Sequence, residues 1–222
     1  MHYIIEARKL ANYIVSLEGE FQTYDTRRGT PYSHIGALYT NVILQAGLNY
    51  NTVVKPRVDR VLVNYPEAST SSKFKCLADE QGLGQIIAWR DQVKLRRLQD
   101  ILEFSIHRNI ETCEDLSNFV SLKSNHALLL NLQGIGFKTL DYLLNLLHFD
   151  TVAVDRHIYS FVALATVEVK GYAETKQIVE YAADLLCMSR SSIDYSIWRY
   201  MSDKRVATHT PVLQQAFEFS TK

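Results

Sequence analysis

The sequence predicts an all-α fold. Apolar residues recur near a 3.6-residue period in most segments of the chain, which is typical of amphipathic helices. Only four of the 222 residues are proline, no hairpin turn signal occurs, and the apolar–polar alternation of half-buried strands is absent. Because 47% of the residues are hydrophobic, the chain can bury one sizeable core or two smaller ones.

The first third of the chain is predicted to form helices separated by a polar segment and by turns. Capping residues and prolines set their expected bounds. The predicted elements are an N-terminal helix with apolar positions Ile4, Leu10, Ile14 and Leu17, a loop over 22–34, a buried helix from residue 35, a helix opened by Pro56 and ended by Tyr65-Pro66, and a capped helix starting at Ser71 or Ser72.

The remainder is also predicted to be helical. The elements are a long amphipathic helix or a close pair over 84–108, a short helix within 109–122, two helices joined by a four-residue turn over 125–149, and helices beginning near Asp155, Tyr172 and Ser191. The weakly patterned residues 204–222 are predicted to form a flexible tail.

The composition restricts the classes of function. Lys plus Arg and Asp plus Glu both number 24, so nucleic-acid binding would need a local site rather than bulk attraction. The three cysteines are far apart and form no metal-binding or disulfide pattern, which indicates free thiols in a reducing compartment. The N-terminal segment carries charges throughout and resembles neither a signal peptide nor a membrane span. A cytoplasmic protein is therefore expected, associated with the nucleoid if the source is prokaryotic.

The segment "LQGIGFKT" (132–139) has the form of a helix-hairpin-helix turn. Gly134 and Gly136 suit positions that need a positive φ or a bare backbone. Glycines at such positions allow an anion to approach the amides that begin the second helix, where the helix dipole favours phosphate. The alternative is a tight interhelical corner in which the glycines serve packing alone.

Spacing connects this turn with a carboxylate. From Lys138 the second helix runs about ten residues, or ~15 Å, and the link from Phe149 to Val154 can return up to ~20 Å. Asp155 can therefore lie near the start of that helix, with a carboxylate facing an amine. The structural alternatives are Asp155 as the N-cap of the next helix and Lys138 as a solvated first-turn residue.

The pattern "LQGIGFKT" followed by "VDRHI" resembles the helix-hairpin-helix/GPD superfamily of DNA glycosylases, which includes endonuclease III and the 8-oxoguanine glycosylases. The resemblance extends to "ALYTNVILQAGLNYNTVVKPRVDRVL" and to "IDYSIWRYMSD", and so covers most of residues 34–203. It implies a two-lobed helical fold with the hairpin at the lobe junction. One lobe would be continuous (36–148), and the other would combine 1–35 with 149–222.

The resemblance implies a bifunctional DNA glycosylase and AP lyase of base excision repair. Lys138 matches the nucleophile that forms an imine with the sugar and permits β-elimination, and Asp155 matches the invariant carboxylate. The expected DNA contacts are Gly134, Ile135, Gly136, Thr139, Gln45 and Asn49. A K⁺ or Na⁺ ion could be held by the backbone of Gly134 and Gly136, whereas His157 is expected to be structural.

Departures from the family pattern refine these expectations. Gln133 replaces the usual proline before the first glycine, and the glutamine or asparagine of the probing loop is replaced by Gly47. Cys187 is the one cysteine where many endonuclease III relatives have four, so no iron–sulfur cluster and no other cofactor is expected. This favours an oxidised purine such as 8-oxoguanine as the excised base. Gln45, Asn49 or Tyr50 would fill the gap left by the flipped base.

Further candidates and alternatives remain open at this point. The run Lys94, Arg96 and Arg97 is typical of a solvated helix face, and Tyr32, Tyr39 or Trp198 could line a base pocket. The alternatives to a lyase are a monofunctional glycosylase, in which Asp155 activates water, and a non-catalytic DNA-binding module. Double-stranded DNA with a damaged base is the expected partner, no membrane association is expected, and a monomer is the expected state.

Overall fold

The computed structural model describes residues 2–25 and 31–209, with side chains up to residue 204. Within these ranges every regular element is helical, so the predicted all-α class is confirmed. None of the described helices combines the length and the apolar character needed to cross a membrane. The α-helices are α1 (His2–Ser16), α2 (Ile35–Leu44), α3 (Lys55–Asn64), α4 (Ser71–Gln81), α5 (Leu83–Ile86), α6 (Gln92–His107), α7 (Cys113–Ser121), α8 (His126–Leu130), α9 (Phe137–Leu146), α10 (Arg156–Leu164), α11 (Gly171–Leu185) and α12 (Arg190–His209).

The chain forms two compact units. Unit 1 comprises 1–29 and 150–222, and unit 2 comprises 30–149. The corresponding boundaries predicted from the sequence lie at residues 35 and 149. Each unit has its own core of buried apolar side chains.

Unit 1 is built from the first helix and the last three. Helix α1 packs along α11, while α12 packs against α10 and α11. Phe161 is completely buried in this core, where its ring meets those of Tyr13, Phe21 and Tyr200 at centroid distances of 5.5–5.6 Å. Burial of this aromatic cluster ties the N-terminal segment to the C-terminal helices, because these rings come from both ends of the chain.

A buried carboxylate also connects α1 to the segment between α10 and α11. Glu6 is 3% exposed, pairs with Lys9 at 2.7 Å and accepts a hydrogen bond from the amide of Glu168 at 2.9 Å. The hydrogen bond with Lys9 lowers the pKa of Glu6, against the opposing effect of burial. The carboxylate therefore has the partners that a buried charge requires.

Unit 2 is organised around α2. All ten residues of this helix are buried, as predicted from its apolar character on most sides, and it contacts α3, α6 and α9. The ring of Phe74 on α4 lies so close to Gly36 that a β-carbon there would be 2.5 Å from it. A glycine is thus needed for the close approach of α2 and α4.

The structure corrects the predicted bounds in several places. The segment 84–108 is a pair of helices, α5 and α6, and a π-helical turn (Tyr50–Val54) leads into α3. Six residues (131–136) rather than four join α8 to α9. Helix α12 extends through His209, so the first residues of the predicted tail are helical, and residues 210–222 lie outside the described part. The predicted start of α4 at Ser71 is confirmed, with Thr70 as the N-cap residue.

Candidate nucleic-acid interface

The link between α8 and α9 is a compact turn anchored in the core of unit 2. Ile135 is 4% exposed and belongs to that core. Its amide donates a hydrogen bond to the carbonyl of Leu132 at 3.1 Å. The side chain of the predicted DNA contact Ile135 therefore fixes the turn, and its amide is already hydrogen-bonded within the turn.

The two glycines of the turn differ in their conformational needs. Gly134 has a φ of +88°, which L residues with a side chain rarely adopt. Gly136 has a φ of −96° and extended geometry, and a β-carbon added there would meet no heavy atom within 4 Å. Gly134 is thus required by conformation, whereas the absence of a side chain at Gly136 leaves open space above the turn.

The start of α9 lacks a side-chain cap. Gly136 is the N-cap residue, so no side chain occupies the amides of the first turn from that position. Such amides and the positive end of the helix dipole attract anions. Thr139 is 7% exposed and its hydroxyl lies 3.5 Å from the carbonyl of Gly134, so this predicted DNA contact faces the turn rather than solvent.

Lys138 projects from the first turn of α9 and is half-buried. Its Nζ donates a hydrogen bond to Oε1 of Gln45 at 3.2 Å. Gln45 is the C-cap residue of α2, and its own Nε2 is buried without a partner among the described residues. The structure therefore brings together two of the predicted site residues, an amine and a neutral amide, which lie 93 positions apart in the chain.

Lys94 has a role that the sequence did not indicate. Its Nζ donates to the carbonyls of Ile43, Leu44 and Ala46 at 3.1, 3.3 and 2.8 Å. All three ammonium hydrogens are thus directed at the C-terminal end of α2, where unpaired carbonyls favour a cation. Burial and the neighbouring charges of Arg97 and Lys138 lower the pKa of Lys94.

Arg97 lies directly against the α8–α9 turn. A β-carbon on Gly134 would be 2.4 Å from Cδ of Arg97 and 2.5 Å from its Nε. The Nε atom is buried and has no hydrogen-bond partner within the described residues. The interpretation of Lys94, Arg96 and Arg97 as a solvated face is therefore wrong for Lys94 and Arg97, and right for the exposed Arg96. Lys94, Arg97 and Lys138 together form a positive cluster beside the turn.

The segment after α2 uses its polar residues to shape the backbone. Gly47 has a φ of +77°, which explains a glycine where an amide side chain was expected. Asn49 is the N-cap of the π-helical turn and accepts a hydrogen bond from the amide of Thr52 at 3.0 Å. The predicted DNA contact at Asn49 thus falls on a residue whose side chain already has a structural partner.

A chain of polar side chains connects α2 with α9. The hydroxyl of Tyr142 donates to Oδ1 of Asn41 at 3.0 Å, and Nδ2 of Asn41 donates to the hydroxyl of Tyr32 at 2.8 Å. Burial raises the pKa of Tyr32 to about 12. Tyr39 is fully buried and its hydroxyl lies 2.6 Å from Ser105, so it is a core residue rather than a wall of a base pocket.

In unit 1, Asp155 is the N-cap of α10. Its Oδ1 accepts hydrogen bonds from the amides of His157 and Ile158 at 2.8 and 3.1 Å. The preceding segment is fixed to α12, because Asp194 accepts from the amide of Ala153 at 2.8 Å and Asp150 accepts from the amide of Ser191 at 3.0 Å. The carboxylate therefore has a defined position within unit 1. His157 is 6% exposed, in keeping with the structural role predicted for it.

Comparisons with known proteins give one family match. Residues 96–202, slightly less than half of the chain, match the model of a family described as "Domain of unknown function (DUF8548)". The matched stretch includes most of α6, the α8–α9 turn and Asp155. No curated protein and no solved structure matches the chain. Among the described residues no cluster of three or more histidine, cysteine or acidic side chains could hold a metal ion.

Proposed function

We propose that the protein is a bifunctional DNA glycosylase and AP lyase of the helix-hairpin-helix type. In this proposal the α8–α9 turn is a helix-hairpin-helix motif that holds a DNA phosphate, Lys138 is the nucleophile and Asp155 is the assisting carboxylate. The two units would be the two lobes of the glycosylase fold. Damaged bases, oxidised ones among them, are the usual substrates of this class, and an oxidised purine in duplex DNA is the substrate we propose.

The environment of Lys138 carries the proposal. Within the described residues its amine hydrogen-bonds to one neutral amide, Gln45, and to no carboxylate. A carboxylate partner would hold the lysine as an ammonium ion, whereas nucleophilic attack requires the neutral amine. Lys94 and Arg97 add positive charge nearby, which attracts phosphate.

The proposed reaction begins when the neutral amine of Lys138 attacks C1′ of the damaged nucleotide. The glycosidic bond breaks and the base leaves with a proton. Opening of the sugar ring produces an imine between Lys138 and C1′. Loss of a proton from C2′ then expels the 3′ phosphate, and water hydrolyses the imine to regenerate the lysine. Asp155 would stabilise positive charge at C1′ and relay protons.

A covalent trap tests the chemistry. The protein is incubated with borohydride and duplexes that contain 8-oxoguanine, thymine glycol, uracil or an abasic site, and the adduct is detected on a denaturing gel. We expect wild-type protein to form an adduct with at least the abasic and 8-oxoguanine duplexes, because reduction converts the imine into a stable amine. Lys138→Gln should abolish the adduct, and Asp155→Asn should reduce its rate about a hundredfold or more, the range typical of proton-transfer groups.

The matched control is Lys73→Gln. Lys73 is an exposed lysine of α4 in the same unit, so its loss removes one charge without touching the turn and should leave trapping unchanged. Absence of an adduct on every duplex would exclude the lyase. Base release without an adduct would indicate a monofunctional glycosylase, and binding without either would indicate a non-catalytic module.

A further inference from the structure

A basic cleft lies beside the hairpin in unit 2. It is lined by residues of α4, α5 and α6 and by one residue of the hairpin, Gln133. Three of its lining residues are cationic, namely Lys75, Arg90 and Arg96, and one, Asp79, is acidic. The surplus of positive charge is notable because the chain as a whole has no net charge.

The charges of the cleft are unequally satisfied. Lys75 pairs with Asp79, with Nζ 2.6 and 2.7 Å from the two carboxylate oxygens. Arg90 and Arg96 are exposed and form no ion pair in the part of the chain that the structure describes. After the internal pair is subtracted, two guanidinium groups remain without a counter-charge. Guanidinium groups bind phosphate through parallel hydrogen bonds.

The remaining wall of the cleft combines amide side chains with apolar ones such as Leu83 and Val93. Gln92, Arg96 and Gln99 recur at the spacing of one face of α6 and all three line the cleft. The amides of this face already have partners, since Nε2 of Gln99 donates to Oε1 of Glu103 at 2.8 Å and Nε2 of Gln92 donates to the carbonyl of Arg90 at 3.3 Å. Arg96 is therefore the donor that this face offers to phosphate oxygens. Trp89 also lines the cleft and is held by Arg57, whose guanidinium carbon lies 4.9 Å from the ring centroid.

The cleft is continuous with the hairpin. Gln133 immediately precedes Gly134, and Arg96 immediately precedes Arg97, the side chain that packs on Gly134. The arginine pair of α6 thus borders the turn on one side and the cleft on the other. Gln133 stands where related hairpins have proline, and its amide adds a donor that proline lacks.

We propose that this cleft binds the phosphodiester backbone of the same DNA duplex, beyond the phosphate at the hairpin, with Arg90 and Arg96 as the principal contacts. The inference rests on the proposed function, since the hairpin supplies the first contact. Unit 2 would then bind the DNA on one side of the damaged nucleotide whatever its base sequence, because backbone contacts position a protein without reading bases.

Binding measured as a function of salt tests this proposal. The double variant Arg90→Gln/Arg96→Gln is compared with wild type on an abasic-site duplex with long flanks. Each phosphate contact contributes about 0.9 to the slope of log K against log salt. We therefore expect the double variant to lower the magnitude of the slope by about 2 and to weaken binding at moderate salt about tenfold or more.

Two controls make the result specific. Arg8→Gln/Lys73→Gln removes the same charge from exposed positions outside the cleft and should keep the wild-type slope. A duplex whose flanks are cut to a few base pairs cannot reach the cleft on its truncated side. Two such duplexes are prepared, each truncated on a different side of the abasic site. The double variant and wild type should bind alike on the one duplex that lacks the flank next to the cleft. Melting temperatures of all variants confirm folding.

The outcomes separate this inference from the proposed function. If wild-type protein forms the borohydride adduct but the double variant keeps the wild-type slope, the cleft inference alone is wrong. If wild type neither binds nor traps any duplex, the proposed function is wrong and this inference with it. If polyglutamate binds wild type more tightly than the double variant, while DNA binds both equally, the cleft binds an acidic protein and the inference is overturned.

Discussion

Individual side chains in this protein often serve a backbone segment far away in the sequence. His34 is the N-cap of α2, where its Nδ1 accepts a hydrogen bond from the amide of Ala37 at 3.2 Å. Its Nε2 lies 3.0 Å from the carbonyl of Tyr65 and donates to it. Both bonds exist at once only in the neutral ring with the proton on Nε2, because a protonated Nδ1 cannot accept.

This arrangement predicts a loss of stability in mild acid. Burial lowers the pKa of His34 below its ordinary value of 6.5, although the bond to Tyr65 opposes the shift. Below pH 6.5 the unfolded chain therefore binds more protons than the folded one, and the free energy of unfolding falls as the pH decreases through this window. Denaturant titrations at a series of pH values would measure the effect.

The comparison for this prediction is His34→Asn, which retains an N-cap acceptor and removes the titrating ring. We expect wild type to be more stable than the variant near neutral pH, and the difference to shrink as the pH falls below about 6.5. A difference that stays constant between neutral pH and pH 5 would contradict the role assigned to the neutral ring.

At the scale of elements, the helices end in an unusual manner. Residues with a side chain adopt positive φ just after five helices, at Ala88, Asn109, His148, Thr166 and Cys187. Glycine is the common residue in this position because a β-carbon is crowded there. Thr166 is the most strained type of residue in this set, because its side chain is β-branched.

Replacing Thr166 by glycine is expected to stabilise the protein. Thr166 has a φ of +53° and is exposed, so the substitution relieves strain and loses little packing. The expected gain in the free energy of unfolding is about 0.5–1 kcal/mol, measured by denaturant titration. Asn109→Gly is the matched change, and it should gain less because asparagine tolerates this conformation better. An equal or larger gain at Asn109 would refute the explanation by β-branching.

The same elements show which features a sequence pattern can predict. The burial of α2 follows from its apolar character on most sides, and the start of α3 follows from Pro56, so both were predicted. The break between α5 and α6 was left open, because it depends on Ala88 at a φ of +49° and on Arg57 and Arg60, which donate to carbonyls around it. Such contacts arise from tertiary packing and leave no local pattern.

The candidate site was predictable to a similar extent. The turn glycines, Lys138 and Asp155 stand in a recognisable local pattern. Lys94 and Arg97 do not, since their roles depend on the end of α2 and on the α8–α9 turn, which lie about 40–50 positions away along the chain. A run of basic residues on a helix therefore indicates charge, but the structure is needed to tell a solvated face from a cap.

For the molecule as a whole, two separate cores predict two separable effects of core mutation. Phe161→Ala should lower stability by about 3–5 kcal/mol through the cavity it leaves in unit 1. We expect hydrogen exchange to accelerate mainly in α1, α10, α11 and α12, since these helices surround that core. The corresponding change in unit 2 is Phe74→Ala, whose effect should centre on α2, α4 and α6. Equal acceleration in both units after either change would show one cooperative core.

The packing of α1 against α11 has a consequence for biosynthesis. On the ribosome, the whole chain of unit 2 is synthesised before the first residue of α11. At that stage unit 2 has all of its own helices, whereas unit 1 still lacks α11 and α12. Until then the apolar stripe of α1, including Leu10 and Ile14, has no native surface to cover it. Translation is therefore the period in which the nascent N-terminal helix is most exposed to chaperones and to aggregation.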